Sequence, residues 1–321
     1  MVESIGAWWM WAGFFAIILA MIAADLLLLG GRTAHKVSFR EAAGWSMVWV
    51  AASLVFDGML WWYLDTSAGR EIANQKALEF LTGYMIEKAL ALDNIFVWLL
   101  IFNYFEVPAQ YQRRVLLYGV LVAIVMRTIM VVAGVWLLSE FHWLLYLFGL
   151  MLVVTGIKML IFANKPPDLW NNPALRWMRT HMTVTETCHD ELFFVVREGI
   201  RYATPLFLVL VLVEITDLIF ALDSIPAILA VTSDPFIVLT SNVFAILGLR
   251  AMYFLLKDMA DRFRFLEYGL AMILIFVGAK MLVVDFFKIP VLLSLAVVGV
   301  IITLSVVVSL GWTKVPPSHK K

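Results

Sequence analysis

Long apolar runs alternate with short polar connections along the whole chain. Each run reaches the roughly 20 residues that an α-helix needs to cross about 30 Å of hydrocarbon. The pattern therefore predicts an all-α fold, a polytopic membrane protein with about nine transmembrane helices. The predicted spans are residues 7–30, 42–64, 77–104, 115–139, 142–163, 204–232, 236–257, 266–287 and 289–312.

The longest polar segment, residues 164–203, separates the fifth and sixth predicted spans. Three prolines near its start disfavour a continuous helix there. Further on, "FFVVREGIRYA" predicts two short β-strands on either side of Glu198 and Gly199. We expect this segment to be a small cap on the membrane helices and not a domain with a core of its own.

Composition supports the membrane assignment, because 63% of the 321 residues are hydrophobic and only 15% are charged. The formal net charge is zero, yet Lys and Arg are unevenly distributed. If the nine helices alternate in direction, sixteen of these residues fall on the side of the C-terminal tail and three on the other side. The positive-inside rule then predicts an N-terminus outside and a C-terminus in the cytosol. We expect the lipid bilayer, and no nucleic acid, as a partner.

The residue types that most often perform catalysis lie outside the spans. All five histidines and the single cysteine, Cys188, fall in connections or at span edges. No Ser-His, Cys-His or HExxH arrangement reaches the membrane interior, so we expect no enzyme activity. A single cysteine also excludes a disulfide within the chain.

The chain contains two related parts. "ALDNIF" at residues 91–96 returns as "ALDSIP" at residues 221–226, and "GIKML" returns as "GAKML". Charged positions correspond in the same order: Glu87 with Asp217, Asp93 with Asp223, and Arg127 with Arg250. Because the repeat unit is three spans, an odd number, the second copy enters the membrane from the opposite side. Inverted repeats of this kind are typical of transporters.

The repeat divides the chain into five parts. Two N-terminal transmembrane helices occupy residues 1–76, and the first three-helix repeat occupies residues 77–163. The cytosolic connection, residues 164–203, leads to the second, inverted three-helix repeat at residues 204–287. The last transmembrane helix and a cytosolic tail form residues 288–321.

Five acidic side chains lie near the middle of predicted spans, where each would cost roughly 2.5–3.5 kcal/mol if it were charged and alone. Lys158 and Lys280 can extend toward the membrane surface, whereas Arg127 and Arg250 lie deeper and are candidate partners for an acid of either repeat. Two arginines cannot neutralise five acids, so the excess negative charge favours a bound cation. The five acids are Glu87, Asp93, Glu214, Asp217 and Asp223.

The available ligand atoms narrow the choice of cation. Asn94 follows Asp93 and Ser224 follows Asp223, so the spans provide carboxylate, amide and hydroxyl oxygens. Together with the five acids, Asn94 and Ser224 are the candidate metal ligands. Hard oxygen donors favour Mn²⁺, Mg²⁺ or Ca²⁺ over zinc or copper.

Helix geometry restricts how these side chains can share an ion. Glu87 and Asp93 are about 9 Å apart along a helix axis and about 120° apart around it, so one straight helix cannot aim both at one site. Two arrangements are open. Either the helices are interrupted near Asp93 and Asp223, as Pro226 suggests for the second copy, or the acids supply different sites along a path.

Four stretches closely resemble the TerC family, and nearly the whole chain resembles its Alx branch: "EKALALDNIFVW", "QRRVLLYGVL", "RYATPLFLVLVLVEITDLIFALDSIPAI" and "DPFIVLTSNVFAILGLRAMYF". The resemblance implies membership of a superfamily of cation exporters with inverted three-helix repeats. It implies Mn²⁺ efflux across a bacterial inner membrane as the activity. It also implies that the acids at the motif positions carry the metal, namely Glu87, Asp93, Glu214, Asp217 and Asp223.

Two hypotheses of function follow. In the first, carboxylates at the interface of the two repeats capture cytosolic Mn²⁺, or Ca²⁺, as transported substrate with no prosthetic group, and protons return as the counter-ion. In the second, a role also associated with the family by name, the chain is a membrane scaffold of a tellurite-stress complex and the 164–203 connection is its working surface. Replacing Asp93 and Asp223 with Asn is expected to abolish transport and to leave the scaffold intact.

Overall fold

The computed structural model describes residues 4–24, 39–141, 143–162, 173–185, 191–197, 199–257, 265–287 and 289–312. These residues form eleven α-helices and one β-hairpin. The helices are α1 Trp8–Ala24, α2 Phe39–Ser67, α3 Arg70–Tyr104, α4 Ala109–Glu140, α5 Leu144–Phe162, α6 Pro173–His181, α7 Pro205–Leu229, α8 Pro235–Leu247, α9 Leu249–Lys257, α10 Leu266–Leu282 and α11 Val291–Trp312. The strands are β1 Phe194–Arg197 and β2 Ile200–Ala203.

Six segments of the described chain are long and apolar enough to cross a membrane. They are α2, α4, Leu144–Ile161 of α5, α7, Pro235–Lys257 formed by α8 and α9, and Val291–Ser309 of α11. Helix α1 is apolar but shorter. Large apolar side chains point outward on these helices, such as Val132 of α4 and Leu304 of α11, as expected where lipid covers the surface. The chain is therefore an all-α polytopic membrane protein, and the count of nine spans stays a prediction.

Helices α3 and α7 pack side by side in the middle of the bundle. Helix α3 also packs against α8, and α4 packs against α7. Helix α8 is enclosed, because every residue from Phe236 to Leu247 is buried, which fits a helix that is apolar on all sides. Polar side chains on the inner faces of these four helices are therefore shielded from water and from lipid.

Helices α5 and α10 cross with their backbones in contact. A Cβ atom added to Gly278 would lie 2.6 Å from the carbonyl oxygen of Gly149, and one added to Gly156 would lie 2.7 Å from the carbonyl oxygen of Ala271. The offset of 122 residues that relates Gly156 to Gly278 also relates Gly149 to Ala271. The two contacts are therefore related by the repeat, because each becomes the other when every residue is replaced by its counterpart 122 positions away.

Both central helices are continuous through the acidic motifs. Helix α3 runs unbroken past Asp93 and Asn94, and α7 runs past Asp223 and Ser224 with Pro226 inside it. The alternative in which these helices are interrupted is therefore wrong. Pro226 lies in the last turn of α7 and lacks the N–H that would bond to the carbonyl oxygen four residues before it, yet the helix continues to Leu229.

The connection between the fifth and sixth predicted spans contains α6 and the β-hairpin. Strands β1 and β2 pair antiparallel, with Phe194 opposite Ala203, so the prediction of two short strands is confirmed. Gly199 adopts a positive φ of 78° at the turn, a conformation that glycine accepts without steric cost. Leu175 and Met178 of α6 are buried in the same apolar core as the membrane helices. Residues 163–172 and 186–190, including Cys188, lie outside the described residues.

Polar contacts tie the N-terminal segment to the start of α8. Asp234 is the N-cap residue of α8, and its carboxylate accepts a hydrogen bond from the backbone N–H of Phe236 at 3.0 Å. The same carboxylate accepts bonds from the Ser4 hydroxyl at 3.2 Å and the Ile5 backbone N–H at 3.1 Å. The Lys76 ammonium lies 3.5 Å away. One buried carboxylate therefore accepts hydrogen bonds from several donors at once and also lies beside a positive charge.

Replacing Asp234 with Ala is expected to lower the free energy of unfolding by about 1–3 kcal/mol, because buried donors lose their acceptor. Asp65 provides a matched control, since its ion pair with Arg70 is solvent exposed, with 68% of the Arg70 side chain accessible. Asp65→Ala should cost no more than about 1 kcal/mol. Unfolding temperatures of the two purified variants in detergent measure the difference, and equal shifts would contradict it.

Candidate cation site

A buried arginine lies at the centre of the four inner helices. Arg127 projects from the middle of α4, and its Nη1 donates hydrogen bonds to the Glu87 carboxylate, to the Ser224 hydroxyl at 2.9 Å and to the Asn242 side-chain carbonyl at 3.2 Å. Its Nη2 donates to Asp217 at 3.3 Å. The guanidinium therefore joins α4 to α3, α7 and α8.

Asn94 completes this group by donating a hydrogen bond from its side-chain amide to Asp217 at 2.8 Å. We call Arg127 and its five neighbours the Arg127 network; its members are Glu87, Asn94, Arg127, Asp217, Ser224 and Asn242. None of them is more than 3% exposed. The network is therefore fully enclosed by protein.

Helical periodicity explains why these residues meet. Glu87 and Asn94 are seven residues apart on α3, and Asp217 and Ser224 are seven residues apart on α7. Seven residues are nearly two turns, so both members of each pair lie within about 20° of one another around the helix axis. Each central helix thus presents one acid and one neutral oxygen donor on the same inner face.

Charges and hydrogen bonds do not balance within the six residues of the network; the ammonium of Lys88, next to Glu87 on α3, donates to the backbone oxygen of Ala245 instead. Two carboxylates, of Glu87 and Asp217, face one guanidinium, which leaves one net negative charge when both acids are ionised. Glu87 Oε2 and Asn94 Oδ1 are buried and have no hydrogen-bond partner of acceptable geometry within the described residues. An unpaired buried polar atom costs about 1–3 kcal/mol. The arrangement therefore has the charge and the free oxygens to accept a cation.

Comparison with known proteins identifies the family. Residues 72–316 match the family described as "Integral membrane protein TerC family", which is more than half of the chain. The chain belongs to the TerC family.

Relatives within the TerC family are similar over almost their whole length. A protein of Salmonella typhi is 56% identical over 307 residues, covering 96% of this chain and 95% of the relative. One of Escherichia coli (strain K12) is 55% identical over 307 residues, covering 96% of each. Both are named as a candidate "membrane-bound redox modulator Alx". A membrane protein of Myxococcus xanthus, STKORF319, is 47% identical over 307 residues, covering 96% of this chain and 93% of that one. No solved structure matches the chain.

The structure separates the acids that the TerC resemblance implies as metal carriers. Glu87 and Asp217 belong to the Arg127 network, together with Asn94 and Ser224. Asp223 is half-buried and accepts a hydrogen bond from Thr155 of α5 at 3.3 Å, away from the network. The side chain of Asp93 lies outside the described part of the chain, although its backbone is part of α3.

Glu214 lies one turn before Asp217 on α7, as its spacing predicts. It is half-buried, and its Oε1 has no hydrogen-bond partner within the described residues. A Cβ atom on Gly119 of α4 would lie 3.4 Å from this oxygen, so the carboxylate points toward α4. No group of three His, Cys, Asp or Glu side chains in the described part of the chain could hold a metal on its own. Amide, hydroxyl or backbone oxygens would have to complete any coordination shell.

Sequence reasoning missed Asn242 of the TerC chain. The only signal is an amide inside the otherwise apolar run "NVFAILGL", eight residues before Arg250. The prediction that Arg127 pairs with an acid of its own repeat or of the other is confirmed, and the structure shows one partner from each. The Lys280 ammonium is buried and donates to the Ser294 hydroxyl of α11 at 3.0 Å, and the expectation that it extends toward the membrane surface stays a prediction.

Proposed function

We propose that this TerC-family protein transports a divalent cation, with Mn²⁺ exported from the bacterial cytosol across the inner membrane. The observation that carries the proposal is the Arg127 network, a buried group with one net negative charge and two unpartnered oxygens. A purely structural network would be more stable with all its polar atoms paired. A cation supplies the missing positive charge and uses the free oxygens of Glu87 and Asn94 as ligands.

The donor atoms favour a hard cation. Carboxylate oxygens of Glu87 and Asp217, the amide oxygen of Asn94 and the hydroxyl of Ser224 are ligand types that suit Mn²⁺, Ca²⁺ or Mg²⁺. We take Mn²⁺ as the transported substrate, with Ca²⁺ as the alternative ion. Protons are the proposed counter-ion, since carboxylates that lose a divalent cation repel one another and gain affinity for a proton.

The packing of the helices supports alternating access between two inverted repeats. The site lies between α3 and α4 of the first copy and α7 and α8 of the second. The two backbone contacts between α5 and α10, at Gly278 and Gly156, are related by the offset of 122 residues between the copies. Movement of one copy against the other would open the site to one side at a time. We propose nine spans, with the N-terminus outside and the C-terminus in the cytosol.

The name of the Alx relatives is compatible with metal transport. With one cysteine, Cys188, the chain cannot form a disulfide within itself, so a redox effect through an internal dithiol is excluded. We propose that any influence on cellular redox state arises from the manganese level. We also propose that the chain is not an enzyme.

Metal uptake by inverted membrane vesicles tests the proposal. Vesicles with the cytosolic face outward should accumulate Mn²⁺ saturably, more than Ca²⁺, Mg²⁺ or Zn²⁺, and the initial rate should differ between two external pH values if protons return. Vesicles from cells without the protein provide the control. Equal Mn²⁺ uptake in both preparations would exclude the transporter.

The scaffold hypothesis makes the opposite prediction for the 164–203 connection. If the chain acts as a scaffold in tellurite stress, replacing this connection with a neutral linker should abolish tellurite resistance in cells without changing Mn²⁺ uptake by vesicles. If the chain is a transporter, variants of the Arg127 network should have the larger effect in both measurements.

A further inference from the structure

The guanidinium of Arg127 lies where a transported cation would have to bind. One of its terminal nitrogens contacts Glu87 of the first repeat and the other contacts Asp217 of the second. Arginine remains protonated in proteins, and its planar fork fits carboxylate oxygens closely. A divalent cation that binds both carboxylates must therefore displace this guanidinium or compete with it for the same oxygens.

A count of charges favours displacement. Two carboxylates with Arg127 carry a net charge of minus one, and adding a divalent cation beside Arg127 would give plus one. If Arg127 moves away from the acids, the two carboxylates and one divalent cation are neutral as a group, and the total charge including Arg127 stays plus one. Because two cations repel each other most strongly in a shielded, low-dielectric interior, separating the guanidinium from the metal is favoured over holding both at the same two carboxylates.

We infer that Arg127 is a tethered cation that occupies the transport site between Glu87 and Asp217 when no metal is bound, and that it competes directly with the divalent ion. This inference rests on the proposed function. It gives Arg127 a role in metal release: when the guanidinium returns to the two acids, it replaces the departing ion and prevents its recapture.

The network contains the atoms that this exchange requires. Asn242 accepts a hydrogen bond from Nη1 on the α8 side, so it helps to hold Arg127 against the two acids in the metal-free protein. Arg127 Nε has no hydrogen-bond partner within the described residues. The guanidinium is therefore held through its terminal nitrogens alone, and its withdrawal from the acids breaks no bond at Nε.

Direct metal binding to the purified full-length protein tests the competition. Equilibrium dialysis against radioactive Mn²⁺ would compare the wild type with Arg127→Gln and with Lys280→Gln. Competition predicts that Arg127→Gln binds Mn²⁺ about tenfold or more tightly, because a repelling unit charge a few ångströms away is removed, and that Mn²⁺ uptake by vesicles is slower. Lys280→Gln also removes a buried cation, one that donates to Ser294 outside the network, and should leave the Mn²⁺ affinity unchanged.

A second variant keeps the test decisive if Arg127→Gln does not fold. Asn242→Ala retains all three charges and removes one acceptor of Arg127, so competition predicts a smaller gain in Mn²⁺ affinity, about threefold. A structural role for Arg127 predicts no gain in either variant. Folded variants that bind Mn²⁺ no more tightly than the wild type would overturn the inference while leaving the transporter in place. A wild type that neither binds Mn²⁺ in dialysis nor accumulates Mn²⁺, Ca²⁺, Mg²⁺ or Zn²⁺ in vesicles would overturn the proposed function, and the inference with it.

Discussion

Asp217→Asn is expected to reduce Mn²⁺ uptake by inverted vesicles about 100-fold or more. The substitution leaves Glu87 and Arg127 as a neutral pair, so the network no longer attracts a cation and also loses a charged ligand. A unit charge at 4 Å contributes about 4 kcal/mol at the effective dielectric of a protein. Since about 1.4 kcal/mol corresponds to a factor of ten, losing about 4 kcal/mol of attraction for the cation accounts for a reduction in uptake of about 100-fold or more.

Two companion variants establish that the effect belongs to the network. Glu87→Gln should reduce uptake to a similar extent, because it removes the other carboxylate bound by Arg127. Asp65→Asn alters an acid that pairs with Arg70 near the end of α2, and vesicles containing it should take up Mn²⁺ at the wild-type rate. Protein amounts are matched by immunoblot. If Asp217→Asn vesicles retain wild-type uptake, the Arg127 network is not the transport site.

Gly278→Ala is expected to destabilise the fold by about 1–3 kcal/mol, although the substitution adds a single methyl group. The new Cβ would lie 2.6 Å from the carbonyl oxygen of Gly149 and 2.9 Å from both Leu152 Cβ and Val153 Cγ2. These atoms belong to or adjoin the backbone of α5, so only a separation of the two helices can relieve the contact. The unfolding temperature in detergent measures the loss.

Gly58→Ala is the matched control for this helix crossing. A Cβ on Gly58 of α2 meets nothing within 4 Å, and alanine is intrinsically better in a helix than glycine by about 1 kcal/mol. This variant should be as stable as the wild type or slightly more stable. If Gly278→Ala is equally stable, the close approach of α5 and α10 is not needed for folding.

The helices and the charged residues of the site could be predicted from local pattern. Apolar runs predict the positions of the helices directly, and the matched motifs indicate that Glu87, Asp217 and Arg127 contribute to one site. The β-hairpin could be predicted as well, because its strands alternate around a glycine that the turn requires. In each case the signal lies within a few residues of sequence.

Contacts between distant helices could not be predicted in the same way. Whether the Asp223 side chain lies beside Asp217 depends on which face of α7 packs against α5. In the structure Asp223 accepts a hydrogen bond from Thr155 of α5. The partnership of Arg127 with Asn242 requires α4 to lie against α8, which no local pattern specifies. Lys280 is buried because α11 packs on α10, so its environment is set by a helix outside the repeat.

The pairing of Arg127 with Glu87 has a consequence for biosynthesis. Both residues belong to the part of the chain that leaves the ribosome first, and they neutralise each other without help from later segments. Glu87 and Arg127 can therefore enter the bilayer as a neutral pair, which lowers the cost of inserting ionisable side chains. The carboxylate of Asp217 arrives only with α7, and it brings the one net negative charge of the Arg127 network. The order of synthesis thus postpones the excess negative charge until the second central helix is made.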